Sequence, residues 1–147
     1  MHRNKIIAAV CAAFMALSFP SSSQAWPVFG PNIVTISGDR GGQIISYAVR
    51  AKGYERSGKK VRFSGRCDSA CTLFLSLPPS QTCVTSGAKF GFHLPYGSSA
   101  EGNRTAAKFL MGKYPGWVRG WIAANGGLSR SLKTMPASYA ARYLATC

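Results

Sequence analysis

Gly65-Arg66-Cys67-Asp68-Ser69-Ala70-Cys71-Thr72-Leu73-Phe74-Leu75 decides how this chain is read. Val61-Arg62-Phe63 just before it alternates in and out and reads as a strand. The stretch Gly65–Ala70 is rich in small residues and reads as a turn. An apolar run from about Ser69 to Leu77 then reads as a helix, stopped by Pro78-Pro79. The turn therefore presents a serine where a strand gives way to a helix. About two dozen residues later, Lys89-Phe90-Gly91-Phe92-His93 reads as another strand, followed by Leu94-Pro95. Ser69 and His93 are thereby candidates for a nucleophile and the base that activates it, since a serine hydroxyl is a poor nucleophile until its proton is taken.

Working outward, the pattern alternates. Ile33-Val34-Thr35-Ile36 is β-branched and predicts a strand, and Ser37–Gly42 a glycine-rich loop. Ile44, Ile45, Ala48 and Val49 recur at helical spacing, which predicts a helix from Gln43 to about Gly53. Thr82–Thr85 predicts a short strand. Pro95–Asn103 reads as a loop, and helices are expected over 104–113, 116–125 and from Pro136 to Leu144. Trp117 and Trp121, with Phe109, are expected in the core. Strands alternating with helices predict an α/β fold, a small mostly parallel sheet covered by helices, with a helical C-terminal third.

Residues 1–25 read as a secretory signal peptide: Arg3 and Lys5, the apolar run Ile6–Leu17, and Ser23-Gln24-Ala25 before the cut. The remaining 26–147 are the length of one domain. No later stretch is long and apolar enough to span a bilayer, which predicts a periplasmic or secreted product. Loss of the leader also leaves His93 as the sole histidine. Cys67, Cys71, Cys83 and Cys147 are then expected to form two disulfides, in any of three connectivities. A zinc site is disfavoured by the lone histidine and the oxidising destination, and no metal or cofactor is implied. Lys and Arg number 18 against four acidic residues. Such a surface attracts anionic envelope polymers, but its cations are scattered and no specific nucleic-acid motif is present.

From Ile33 to Leu144 the chain resembles the Clp protease proteolytic subunit and its crotonase-fold relatives, in particular exported Clp-protease-like proteins. Three short motifs carry the resemblance. Ile36-Ser37-Gly38-Asp39-Arg40-Gly41-Gly42 stands where the family has a strand and a Ser-Pro-Gly-Gly loop; Gly65–Leu75 matches the nucleophile turn; Phe92-His93-Leu94-Pro95 matches the strand that ends in the base. The resemblance implies a serine hydrolase, of peptidase or esterase type, acting on a peptide or acyl substrate. Ser69 is the nucleophile, His93 the base, and backbone N–H groups of Ala70 and of Gly41 or Gly42 form the oxyanion hole. Both a monomer and a crotonase-like trimer fit.

One departure matters. The family's third catalytic residue is an Asp near the start of the last helix, where this chain has Leu132-Lys133-Thr134-Met135. Asp39, Asp68 and Glu101 are the stand-ins, and Thr134 could orient His93 through a neutral hydrogen bond. Loss of an orienting carboxylate has cost a serine protease about 10⁴-fold in turnover. Three readings follow: a Ser–His dyad hydrolase, an inactive binding protein on the same fold, and a cationic envelope protein that binds anionic polymers. Asp68 and Ser69 also have a plainer use as helix caps.

Overall fold

The computed structural model describes residues 32–147; the predicted leader lies outside them. The chain runs β1 (Ile33–Asp39), α1 (Ile44–Ser57), β2 (Lys60–Asp68), a 3₁₀ helix (Ser69–Ser76), a 3₁₀ turn (Pro79–Gln81), β3 (Thr82–Val84), β4 (Lys89–Phe92), α2 (Ala100–Lys113), α3 (Gly116–Ala124), β5 (Lys133–Pro136), α4 (Ala137–Ala140) and β6 (Ala145–Thr146). It is an α/β fold built on a mixed sheet.

β2 is the organising strand. Along one edge it pairs in parallel with β1, Val61 opposite Val34 and Phe63 opposite Ile36. Its other edge is shared: the first half pairs with β3, Val61 opposite Thr82, and the second half with β4, Cys67 opposite Phe90. The Ser86-Gly87 turn between β3 and β4 lets one broken strand follow the full length of β2. β6 adds to β3 in parallel, and β5 adds to β4 antiparallel. The mostly parallel sheet expected from the alternation is what forms, with β5 as its antiparallel exception.

The core follows from the apolar positions of these strands. Val61, Phe63, Phe90 and Phe92 are fully buried, and burying each such side chain stabilises the fold by about 1.5–3 kcal/mol. Phe63 meets Phe90 edge-on at 5.0 Å. Phe92 meets Tyr114 at 5.6 Å and Trp121 at 5.6 Å, joining the sheet to α3. On the other side Tyr54 of α1 stacks on Phe74 at 5.4 Å. Trp121 is buried as expected, and so are Val118 and Ile122 of the same helix, whereas Trp117 is only partly buried and Phe109 lines a cleft.

Four local expectations are corrected. β2 runs through Gly65 to Asp68, so the turn starts at Ser69. A β-carbon at Gly65 would overlap the Ser37 carbonyl, where β1 bulges between Ile36 and Gly38; the glycine serves close strand approach. The helix after Ser69 is 3₁₀ rather than α, and Thr72 and Ser76 each bond the carbonyl three residues back. The expected helix from Pro136 to Leu144 is a single turn, Ala137–Ala140, flanked by two unexpected strands. α2 begins at Ala100, because Ser99 caps it by accepting from the Gly102 N–H at 3.1 Å.

Both disulfides form. Cys67 joins Cys71, with Cα atoms 5.3 Å apart, and Cys83 joins Cys147, with Cα atoms 5.4 Å apart. The second ties the C-terminus to β3, beside the Cys147 N–H bond to Val84 O at 3.0 Å. Among the described residues no helix is long and apolar enough to cross a membrane.

Candidate active site

Ser69 stands at the point where β2 becomes the 3₁₀ helix, with φ at +56°. Among the described residues it is the one non-glycine with positive φ. That conformation costs an L-residue roughly 1–2 kcal/mol, so the surroundings must hold it. Three restraints do. The Cys67–Cys71 disulfide closes a five-residue ring around the serine. Thr72 Oγ1 donates to the Ser69 carbonyl at 2.6 Å. Because that hydroxyl is thereby used as donor, Thr72 accepts from the Tyr114 hydroxyl, also at 2.6 Å. Tyr114 is buried, which pushes its pKa up to about 12.

The β1–α1 loop presses on this elbow. A β-carbon at Gly41 would lie 2.6 Å from Asp68 O, 2.8 Å from Ser69 Cβ and 2.9 Å from Ala70 N. Gly41 itself has φ +84°, so both space and backbone require glycine there. Asp39 fixes the loop: its Oδ1 accepts from the Gly41 N–H at 2.8 Å and from the Tyr47 hydroxyl at 2.6 Å, and Oδ2 lies 3.8 Å from Arg50. The Tyr47 hydroxyl is raised in pKa by burial and by that carboxylate. Of the two loop glycines expected to offer an oxyanion donor, Gly41 has its N–H committed to Asp39. Gly42 is exposed in the same loop. Ala70 lies in the first turn of its helix, where backbone donors have no intrahelical partner.

His93 follows the end of β4. Its Nδ1 lies 2.7 Å from the Leu94 carbonyl; a carbonyl only accepts, so Nδ1 carries the proton and Nε2 is left as the basic nitrogen. Leu94 is itself anchored, its N–H donating to Ser129 O at 2.7 Å. Tyr96 leans over the ring, centroids 5.5 Å apart. Ser69, His93, Gly41 and Gly42 line one cleft of about 860 Å³, which Phe109 also lines. No hydrogen bond joins Ser69 to His93 among the described residues.

Two of the three carboxylate stand-ins are engaged elsewhere, and none is bonded to His93 among the described residues. Asp39 holds the loop. Asp68 is buried and paired with Arg66, and it makes no side-chain cap at the helix start. Glu101 is exposed in the first turn of α2. Lys133 sits opposite Phe92 in the sheet, and its ammonium donates to the carbonyls of Asn125 and Gly127, the latter at 2.8 Å, beyond the end of α3. Thr134 is exposed opposite Gly91, and the ring partner of His93 is the Leu94 carbonyl instead. Sequence reasoning missed both Leu94 and Tyr114: a backbone acceptor has no residue signature, and one tyrosine between Lys113 and Pro115 carries no motif.

No known family model matches this chain, and no curated protein does.

Proposed function

We propose that this chain is an exported Clp-protease-like serine hydrolase, of peptidase or esterase type, that works through a Ser69–His93 dyad. The observation that carries the reading is the strained serine: a φ of +56° at Ser69, braced on three sides, in the cleft that His93 also lines. Strain of this kind persists only where neighbours over-determine it and clusters at functional sites. The strand–elbow–helix order, the glycine pair beside the elbow and the largely parallel sheet support the Clp-protease/crotonase resemblance. The two disulfides support an oxidising, periplasmic or secreted location.

In this reading Ser69 Oγ attacks the substrate carbonyl as its proton passes to His93 Nε2. The carbonyl oxygen becomes an oxyanion held by the N–H groups of Ala70 and Gly42. His93 then protonates the leaving alcohol or amine, which departs and leaves Ser69 acylated. Water, deprotonated by the same nitrogen, releases the acid. The Leu94 carbonyl fixes the tautomer that a carboxylate fixes in a triad, but carries no full charge to stabilise the imidazolium. Slow turnover is the consequence.

That same neutral partner favours a second reading, a cleft that binds a peptide or acyl group without cleaving it. Release of p-nitrophenol from p-nitrophenyl acetate by the mature protein separates the two. The hydrolase gives release that Ser69→Ala abolishes. Release no faster than with Ser69→Ala, from a protein of native circular dichroism, leaves the binding reading.

A further inference from the structure

A second cleft, of about 710 Å³, adjoins the first and shares Pro95, Tyr96 and Asn103 with it. The shared wall is built rather than incidental. Asn103 clasps Ser98 twice: its Oδ1 accepts from the Ser98 N–H at 3.3 Å, and its Nδ2 donates to the Ser98 carbonyl at 3.1 Å. The Ser99 cap fixes the start of α2 just beside it. Tyr96 stands 83% exposed between the two clefts.

The second cleft is lined by Leu94, Ala100 and Ala107 and by the cations Arg104, Lys108 and Arg130. Arg104 and Lys108 are four apart on α2, so they share a face. All three are exposed, and none makes an ion pair or hydrogen bond among the described residues. Among the described residues no Asp or Glu lines either cleft. Three unpaired cations therefore line a cleft that shares a wall with the Ser69 cleft. Other cations are spent locally, Arg50 on Asp39 and Tyr47, Arg66 on Asp68 and Lys133 on helix-end carbonyls.

We infer that the second cleft is a subsite for an acidic peptide: a chain whose carbonyl lies at Ser69 runs past Tyr96 and seats a carboxylate against Arg104, Lys108 and Arg130. This rests on the reading of the Ser69 cleft as the place where an acyl group binds. Arginine's planar fork matches a carboxylate in two parallel hydrogen bonds. The cleft is concave and adjoins the first across Pro95, Tyr96 and Asn103, which suits a narrow linear ligand better than the face of a bilayer.

The test uses the Ser69→Ala protein, which cannot turn its ligand over. Two fluorescein-labelled octapeptides, identical except that one carries three Glu where the other has Gln, are titrated by anisotropy at about 50 mM salt. The acidic peptide is expected to bind at least about tenfold more tightly, the size that three partly solvated ion pairs supply. That preference is expected to shrink toward unity in about 0.5 M salt. It is also expected to vanish in Arg104→Ala/Lys108→Ala/Arg130→Ala and to survive in Arg56→Ala/Lys59→Ala/Lys113→Ala, which loses equal charge elsewhere. Equal binding of the two peptides overturns the proposal, as does a preference that the groove variant keeps. Vesicles of phosphatidylcholine and phosphatidylglycerol that bind through these three cations, while the acidic peptide does not, overturn it in favour of a membrane. If p-nitrophenyl acetate is not hydrolysed but the Glu preference maps to the groove, the hydrolase reading falls and the subsite stands. If the ester is hydrolysed and no Glu preference is found, the subsite falls and the hydrolase stands.

Discussion

The α-carbon of Gly41 rests against Ser69 so closely that a β-carbon added to it would stand 2.8 Å from that of the serine. The loop after β1 and the elbow after β2 are therefore one unit, although Gly41 and Ser69 lie 28 positions apart in the chain. Gly41→Ala is expected to destabilise the fold by several kcal/mol, since it meets backbone at Asp68 and Ala70 and forces a β-carbon onto positive φ. At Gly42 the nearest atom to such a β-carbon is 3.6 Å away, on Tyr47. Gly42→Ala should fold as the wild type does. Urea melts of the two variants check this; equal melts would mean that the loop does not bear on the elbow.

The two disulfides should have different consequences. In the chain-entropy account Cys83–Cys147, closing 64 residues of sequence separation, is worth about 4 kcal/mol, and Cys67–Cys71, separated by four, about 2 kcal/mol. The double Cys83→Ala/Cys147→Ala variant should lose more stability in denaturant. The double Cys67→Ala/Cys71→Ala variant should lose less, but its ester hydrolysis should fall further, because that bridge frames Ser69. The opposite ranking of hydrolysis rates would remove the disulfide from the account of the site.

Tyr114 offers a pH signature. Burial raises its pKa from the ordinary tyrosine value of 10.0 to about 12. Below pH 10 neither the folded nor the unfolded chain ionises this group, and its stabilising effect is fully present. Between about pH 10 and 12 the unfolded chain loses the proton and the folded chain keeps it, so stability falls by up to roughly 2–3 kcal/mol. Tyr114→Phe removes this component of the alkaline fall. At neutral pH it should cost about 1–2 kcal/mol, the buried Thr72 oxygen having lost the hydroxyl that donates to it. Guanidinium melts of both proteins from about pH 8 to 12 would show the curves converging above pH 10; parallel curves would contradict the shift.

Much of this was legible in the sequence and some of it was not. Ile33–Ile36 and the Ile44/Ile45/Ala48/Val49 spacing marked β1 and α1, although in α1 only Ile44 and Ala48 of that set pack on the core, while Ile45 and Val49 are 66% and 65% exposed. The elbow was placed within a few residues, but Gly65 suggested a turn where it instead allows β1 to bulge against β2. β5 and β6 were invisible: Lys133–Pro136 and Ala145–Thr146 are strands by virtue of partners distant in sequence, β4 for one and β3 with the Cys83–Cys147 bridge for the other. The 3₁₀ form of Ser69–Ser76 depends on local side-chain bonds that an apolar pattern does not encode. Ser69, His93 and the glycine pair were readable as a group; the groove formed by Arg104, Lys108 and Arg130 was not, since the spacing of scattered cations says nothing of the loop that brings Arg130 beside α2.

The most direct measurement is intact-mass and peptide-mapping analysis of the mature protein after incubation with a fluorophosphonate. A single adduct on Ser69 is expected, absent from Ser69→Ala and formed at least about 10³-fold more slowly in His93→Ala. No adduct on folded wild-type protein, or an adduct that persists in Ser69→Ala, would contradict the claim that Ser69 is a nucleophile served by His93.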